Sequence, residues 1–250
     1  MVLLRADDLG YSKGINYGIA ETVKSGMIKN VGLMPNMSAA EHGVSLVAGA
    51  ALCIGQHTNI SVGRPLTSPD KIPSLVTESG EFKPSSMYRA AKEDFVVLDE
   101  VLLEIEAQYR RFVELVGRKP DYIECHAVSS KNLFLGLEEV AKKYGLKYSP
   151  ISPMPLDDKP VTIGATKVFM TMDAMRPEYN PFASLTRMVE NAHPDGCAMM
   201  VFHPGFLDNY LLKTSSLTTP RAIEVEMLCD PATREWLEQH HVVLATYHDL

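Results

Sequence analysis

The chain has 250 residues, 46% of them apolar, which is enough to bury a substantial core, and α/β barrels of this length commonly form one domain. Its formal charge of -7 comes without a basic cluster, which excludes the electrostatic footprint of a nucleic-acid binder and favours a small, neutral substrate. The four cysteines, Cys53, Cys125, Cys197 and Cys229, form no CxxC pair and read as reduced core thiols.

Met1-Val2-Leu3-Leu4 runs at once into Arg5 and an acidic pair, too short an apolar run for a signal peptide or a membrane span, so the cytoplasm is the expected location. Val2 to Ala6 reads as a strand closed by Asp-Asp-Leu-Gly, and Ile15, Ile19 and Val23 then predict a helix stopped by Gly26. Val31 to Met34 is strand-like, Ser38-Ala39-Ala40-Glu41 reads as a capping box ahead of Val44 and Val47, and Leu52 to His57 makes a third strand. The stretch 62–88, rich in Pro, Ser, Thr and Gly, exceeds an ordinary connection and reads as a rim or lid insertion.

Asp99 to Val116 predicts a long amphipathic helix ended at Gly117, followed by a strand over Tyr122 to His126. Leu133 to Tyr144 predicts a helix stopped by Gly145, and Lys147 to Ser149 a short strand. The proline-punctuated segment 150–181 is irregular, with strand signals at Val161 to Ile163 and Val168 to Met172. A helix around Phe182 to Asn191 leads to a buried-type strand, Cys197 to Phe202, ending in His203-Pro204-Gly205. Pro220 and Pro231 start two more helices, and Val242 to Thr246 is the last strand. This alternation predicts a mostly parallel α/β sheet, preferably a (β/α) barrel, in a single catalytic domain over 1–250. Neither GxGxxG nor GxxxxGK[ST] follows a strand, which removes the main support for dinucleotide and P-loop versions.

Four polar motifs stand at the C-terminal ends of predicted strands, where parallel α/β folds collect their chemistry. They are Arg5 to Gly10, Gly55 to Asn59, Glu124-Cys125-His126, and Phe202 to Gly205. Adjacent carboxylates in one site repel, so Asp7-Asp8 favours a nearby cation or a shared proton. Asp8 with His57 and His126 makes an Asp-His-His set for a divalent metal, leaving Asp7 as a base. In an extended strand Glu124 and His126 share a face and Cys125 turns away. Each motif alone also has a bland reading, a solvated turn for the Asp pair and a rim hydrogen bond for each histidine; their joint placement favours a site. Arg221 and Glu224, three apart at a helix start, read most simply as a surface ion pair, with substrate binding as the alternative.

The ordered set RADDLGYS, GQHTNI, YIECH and VFHPGFLD, with Pro220-Arg221, Glu224 and a C-terminal Asp249-Leu250, resembles the YdjC-like carbohydrate deacetylases over essentially the whole chain. The resemblance implies a distorted (β/α) barrel and removal of N-acetyl groups from an acetylated sugar of the chitooligosaccharide type. It implies Asp8, His57 and His126 as metal ligands, Asp7 as catalytic base, His203 as acid, and magnesium as the metal. On chemical grounds two imidazoles and a carboxylate also suit zinc or another transition ion. Family members commonly carry Asp-Ser-His followed by further histidines at every second position, whereas this strand continues Ala127-Val128-Ser129-Ser130. Expected partners are an acetylated sugar or oligosaccharide, neither nucleic acid nor membrane, with a homo-oligomer (dimer or trimer) left open. The competing readings are an amidohydrolase or phosphoesterase on the same barrel, or a non-catalytic sugar-binding protein.

Overall fold

The computed structural model describes residues 1–150 and 159–250. Among them the strands are β1 (Val2–Leu9), β2 (Asn30–Leu33), β3 (Cys53–Thr58), β4 (Tyr122–Cys125), β5 (Lys147–Tyr148), β6 (Val161–Ile163), β7 (Thr166–Thr171), β8 (Cys197–Phe202) and β9 (Leu244–Ala245). The helices are α1 (Lys13–Lys24), α2 (Ala40–Val47), α3 (Ser85–Ala90), α4 (Leu98–Val116), α5 (Lys131–Tyr144), α6 (Pro181–Glu190), α7 (Asn209–Thr214), α8 (Thr219–Cys229) and α9 (Pro231–Gln239).

The strands join in the order β5-β4-β3-β2-β1-β8-β7-β6, and every pairing is parallel except the β6–β7 hairpin. β9 lies beside the first residues of β1, Val2 and Leu3, while β2 takes over the same edge from Arg5 onward. The sheet curls into a nearly closed barrel. Leu3, Cys53, Tyr122, Ile163, Val168, Met199 and Ala245, drawn from strands across the whole sheet, pack into one interior cluster. The alternate residues Leu4, Ala6, Val31, Ile54, Met200 and Phe202 face outward onto Ile15, Ile19, Phe112, Leu185 and Leu228 of the surrounding helices. That two-sided burial is why these strands read as continuous apolar runs.

Local chemistry explains most boundaries. Ser12 caps α1 by accepting the Ile15 N–H, Ser130 caps α5 through Leu133, and Gly117 and Gly145 end α4 and α5 with φ of 77° and 60°, the left-handed conformation glycine adopts without strain. Two expectations fail locally. The Ser38 capping box does not form: α2 begins after Ala39, with no side-chain cap. The first strand does not stop at Ala6 but runs through the acidic pair to Leu9, because the β1–β2 register slips between Ala6 and Leu9 and absorbs an irregularity there. α7 lies in a stretch whose periodicity is too short to read.

The stretch 62–88 carries a 3-10 turn at Pro69–Lys71 and a bridge between Val76 and Phe82. It is anchored by Ile72, Leu75 and Phe82, which pack with Val101 and Ile105 of α4. Buried Glu104, also on α4, accepts the backbone N–H groups of Leu66 (3.1 Å) and Thr67 (2.8 Å). Of the segment expected to be irregular, 150–181, residues 151–158 lie outside the described residues, and the two strand signals correspond to the β6–β7 hairpin. No helix among the described residues is long and apolar enough to cross a membrane.

Candidate active site

The inward positions of β1, β3 and β4 change character towards their C-terminal ends. Leu3 gives way to Arg5 and Asp7, Cys53 to Gly55 and His57, and Tyr122 to Glu124, all buried. Parallel pairing sets His57 directly beside Glu124, and His57 Nδ1 lies 2.5 Å from Glu124 Oε1. Gly32 of β2 faces the same interior, where a Cβ would come within 2.8 Å of Asp7 Oδ1 and 3.2 Å of the His57 Cβ. Only glycine leaves both side chains where they are.

Asp8 should point away from Asp7 in a regular strand. Instead it takes φ of 77°, a left-handed conformation that Asp tolerates better than most side chains, and its carboxylate joins the site. Asp8 Oδ1 lies 3.1 Å from His57 Nε2 and 2.9 Å from His126 Nδ1, and the two ring nitrogens are 3.0 Å apart. With Glu124 accepting from Nδ1, the neutral His57 ring aims an Nε2 lone pair at a carboxylate oxygen. That arrangement is repulsive unless a cation or a proton lies between. The edges of this triangle match the spacing of about 3.0 Å between neighbouring donors that each sit about 2.1 Å from one six-coordinate ion. The residues present therefore fit a divalent metal, and Glu124 behind His57 supplies the outer hydrogen bond that metal-bound imidazoles ordinarily have.

The electrostatics show how strongly this cluster draws positive charge, as a proton or as a cation. Burial works against a charged His57, but the Glu124 and Asp7 carboxylates outweigh it and hold its pKa well above the usual histidine value. Burial likewise opposes ionising Asp8, yet His126 and Arg221 bring its pKa well below the carboxylate range. Asp7 is asymmetric: Oδ2 is held by Arg5 at 2.7 Å, while Oδ1 is buried with no hydrogen-bond partner among the described residues. Arg5 also donates to the Tyr247 hydroxyl (2.8 Å) and lies 3.6 Å from Glu124 Oε2.

His203 follows β8, with Nδ1 buried and without a partner among the described residues. Burial, aided by the charge of Arg221 and opposed by Asp8, lowers its pKa to about 4. Tyr11 stands beside His126, ring centroids 6.1 Å apart, and meets Tyr210 edge-on at 5.8 Å, forming an aromatic wall.

The expectation of a surface ion pair between Arg221 and Glu224 is wrong. Both are buried, at 2% and 0% exposure, and Arg221 pairs with Asp8 Oδ2 at 2.7 Å. Burial pushes the Glu224 pKa up to about 8. Helical spacing showed that the two residues share a face, but which neighbours meet that face depends on a contact 213 residues away in sequence. The reading from sequence also gave Arg5 no role, although period-two alternation puts it on the face of Asp7, and it left Glu124 without its His57 partner. Cys125 turns outward into an apolar cluster, as expected, and burial raises its thiol pKa.

The family model described as YdjC-like protein matches residues 1–239. The chain belongs to the YdjC-like family. Two relatives named carbohydrate deacetylase agree with this assignment. One, carbohydrate deacetylase 2 of Listeria innocua, is 32% identical over all of this chain and 98% of its own length. The other, from Geobacillus stearothermophilus, is 31% identical over 99% of this chain and 96% of its own. Among solved structures, an Enterococcus faecalis protein described as a candidate cellobiose-phosphate cleavage protein superposes with a TM-score of 0.84 at 24% identity, covering 99% of this chain and 97% of that one. A family 4 acetyl xylan esterase from Clostridium thermocellum, solved with a cobalt ion, gives 0.52 at 12% identity over 99% and 88%. At these identities the structural likenesses establish the distorted barrel fold alone.

Proposed function

We propose that this YdjC-like protein is a metal-dependent carbohydrate deacetylase that hydrolyses the amide of an N-acetylated sugar or oligosaccharide and releases acetate. The observation that carries the reading is the convergence of Asp8 Oδ1, His57 Nε2 and His126 Nδ1 beside an Asp7 carboxylate with one oxygen free. The names of the Listeria and Geobacillus relatives support the substrate class, and the cobalt in the acetyl xylan esterase supports a divalent ion in such a barrel. Magnesium is the ion that the family resemblance implies. The four free cysteines suit the cytoplasm.

A divalent ion in this set would lower the pKa of its water and polarise the acetamide carbonyl. Asp7 Oδ1 accepts the proton of the attacking water while Arg5 holds Oδ2 still, so the base is oriented before substrate arrives. The water oxygen bonds to the carbonyl carbon, the carbon–nitrogen bond then breaks, and the departing nitrogen takes a proton. His203 is the proposed donor of that proton. With its pKa lowered to about 4, the imidazole takes up a proton from solvent as negative charge develops on the carbonyl oxygen, and Asp7 returns the proton it accepted to solvent once the products leave. The products are acetate and a free amino sugar. Tyr210, exposed and packed edge-on against the buried Tyr11, offers an aromatic surface to a pyranose ring.

The test is release of acetate and free amine from a panel of N-acetylated mono- and disaccharides, with and without chelator and added divalent ions. Release that chelator abolishes and one added ion restores is the expected result. Metal bound with no release from any sugar would favour a non-catalytic sugar-binding protein, and release unaffected by chelator would show that no metal is needed.

A further inference from the structure

Proton transfer and metal binding leave one assembly unused, namely the buried Arg221 and Glu224 in the N-terminal half of α8 and the half-buried Tyr179 that faces them. Arg221 directs three nitrogens at three elements, Nε to the Leu217 carbonyl (2.9 Å), NH1 to the His203 carbonyl (3.2 Å) and NH2 to Asp8 Oδ2 (2.7 Å). Glu224, one turn on, uses both oxygens: Oε2 accepts the His203 backbone N–H at 2.6 Å and Oε1 accepts the Tyr179 hydroxyl at 2.9 Å. The Gly205 N–H also returns to this turn, donating to the Arg221 carbonyl at 3.2 Å.

These bonds begin where the sheet runs out. The β1–β8 ladder ends at Ala6–Phe202, so the next residue, His203, would have both its peptide groups without ladder partners in a half-buried position. Any neutral donor and acceptor could satisfy them. The structure uses an arginine and a glutamate, and the arginine also grips the carboxylate of the metal set. A fully buried acid, whose pKa burial raises to about 8, is costly to keep, and a stability role alone gives no reason to retain it.

We infer that Glu224 and Tyr179 form a positioning pair that fixes the His203 backbone, and with it the point from which the imidazole projects, and that Arg221 ties this pair to Asp8. The two halves of one helical turn then serve different ends: Glu224 governs turnover alone, while Arg221 governs both turnover and metal affinity. This division rests on the deacetylase reading for the meaning of turnover, though not for metal affinity or for the state of the His203 amide.

The experiment compares Glu224→Gln, Tyr179→Phe and Arg221→Lys with the wild-type protein, after thermal melts have shown each to be folded. It reads cobalt(II) affinity by calorimetry, the His203 amide proton resonance, and kcat and KM on an N-acetylated disaccharide. Glu224→Gln and Tyr179→Phe are expected to lower kcat about ten- to a hundredfold and move the His203 resonance, with KM and cobalt affinity within about twofold of wild type. Arg221→Lys is expected to weaken cobalt binding about tenfold or more as well as to lower kcat. Cobalt affinity falling as far in Glu224→Gln as in Arg221→Lys would overturn the division. So would unchanged kcat and resonance in both Glu224→Gln and Tyr179→Phe. Should the wild-type protein release no acetate, the deacetylase reading fails, while the split in cobalt affinity and the His203 resonance still decide the inference.

Discussion

The lower and upper halves of the barrel interior are built by the same strands and obey different rules. Below, Leu3, Cys53, Tyr122 and Met199 fill the space with apolar and aromatic side chains, and Tyr122 stacks on Tyr247 at 3.7 Å between ring centroids. Above, one or two inward positions further along, Arg5, Asp7, His57 and Glu124 form a chain of buried charges that continues through Asp8 to Arg221. The lower half needs only volume. The upper half needs each partner at a defined atom, since a buried charge that loses its partner costs several kcal/mol. The barrel separates stability from chemistry along its axis.

That separation can be broken most visibly from Gly32, which lies where charge replaces packing. Gly32→Ala puts a methyl group against Asp7 Oδ1 and His57, so turnover should fall at least about tenfold with a loss of about 1–3 kcal/mol in stability, read by kinetics and denaturant melts. A Gly32→Ala protein with wild-type turnover would mean that Asp7 and His57 need not be held so closely.

pH sharpens the comparison next. The carboxylates around His57 raise its pKa in the metal-free protein, so the ring carries a proton that a metal must displace. Metal affinity should therefore weaken by about tenfold for each pH unit below that raised pKa, with about one proton released on binding, as calorimetry in buffers of different ionisation enthalpy can read. The sign is fixed: a raised histidine pKa favours the proton-bound, metal-free state as pH falls. A pH-independent affinity from neutral pH downward would mean that His57 is already deprotonated or is not a ligand.

The smallest effect on the site should come from the lower half. Met199→Ala removes a fully buried side chain and should cost about 2–5 kcal/mol of stability while leaving metal affinity unchanged in the protein that remains folded. A loss of metal affinity comparable to that of a ligand substitution would show that the two halves are coupled.

Much of this site can be read from the residues in order, because each chemical group follows an apolar run and parallel strands gather their ends. Asp7, Asp8, His57, His126 and His203 are found that way, and the geometry brings Asp8, His57 and His126 together. What stays hidden is set by tertiary contact. The left-handed turn at Asp8 depends on the slipped register against β2, and nothing in Asp-Asp-Leu-Gly distinguishes it from an ordinary strand end. The Glu124–His57 contact requires the β3–β4 register, and the inward turn of Arg221 and Glu224 requires knowing that α8 packs across the end of β8. The resemblance to the YdjC-like deacetylases supplied the acid role of His203, a role that periodicity could not suggest.

The central claim is that two neighbouring carboxylates divide the work, Asp8 holding the metal and Asp7 moving the proton. Metal titration of Asp7→Asn and Asp8→Asn, each paired with an acetate-release assay, tests it most directly. Asp7→Asn should bind one divalent ion per chain with near wild-type affinity and lose turnover by about a hundredfold or more, whereas Asp8→Asn should lose the metal and turnover together. A metal-replete Asp7→Asn protein that still turns over, or an Asp8→Asn protein that binds the ion as tightly as wild type, would contradict this division of labour.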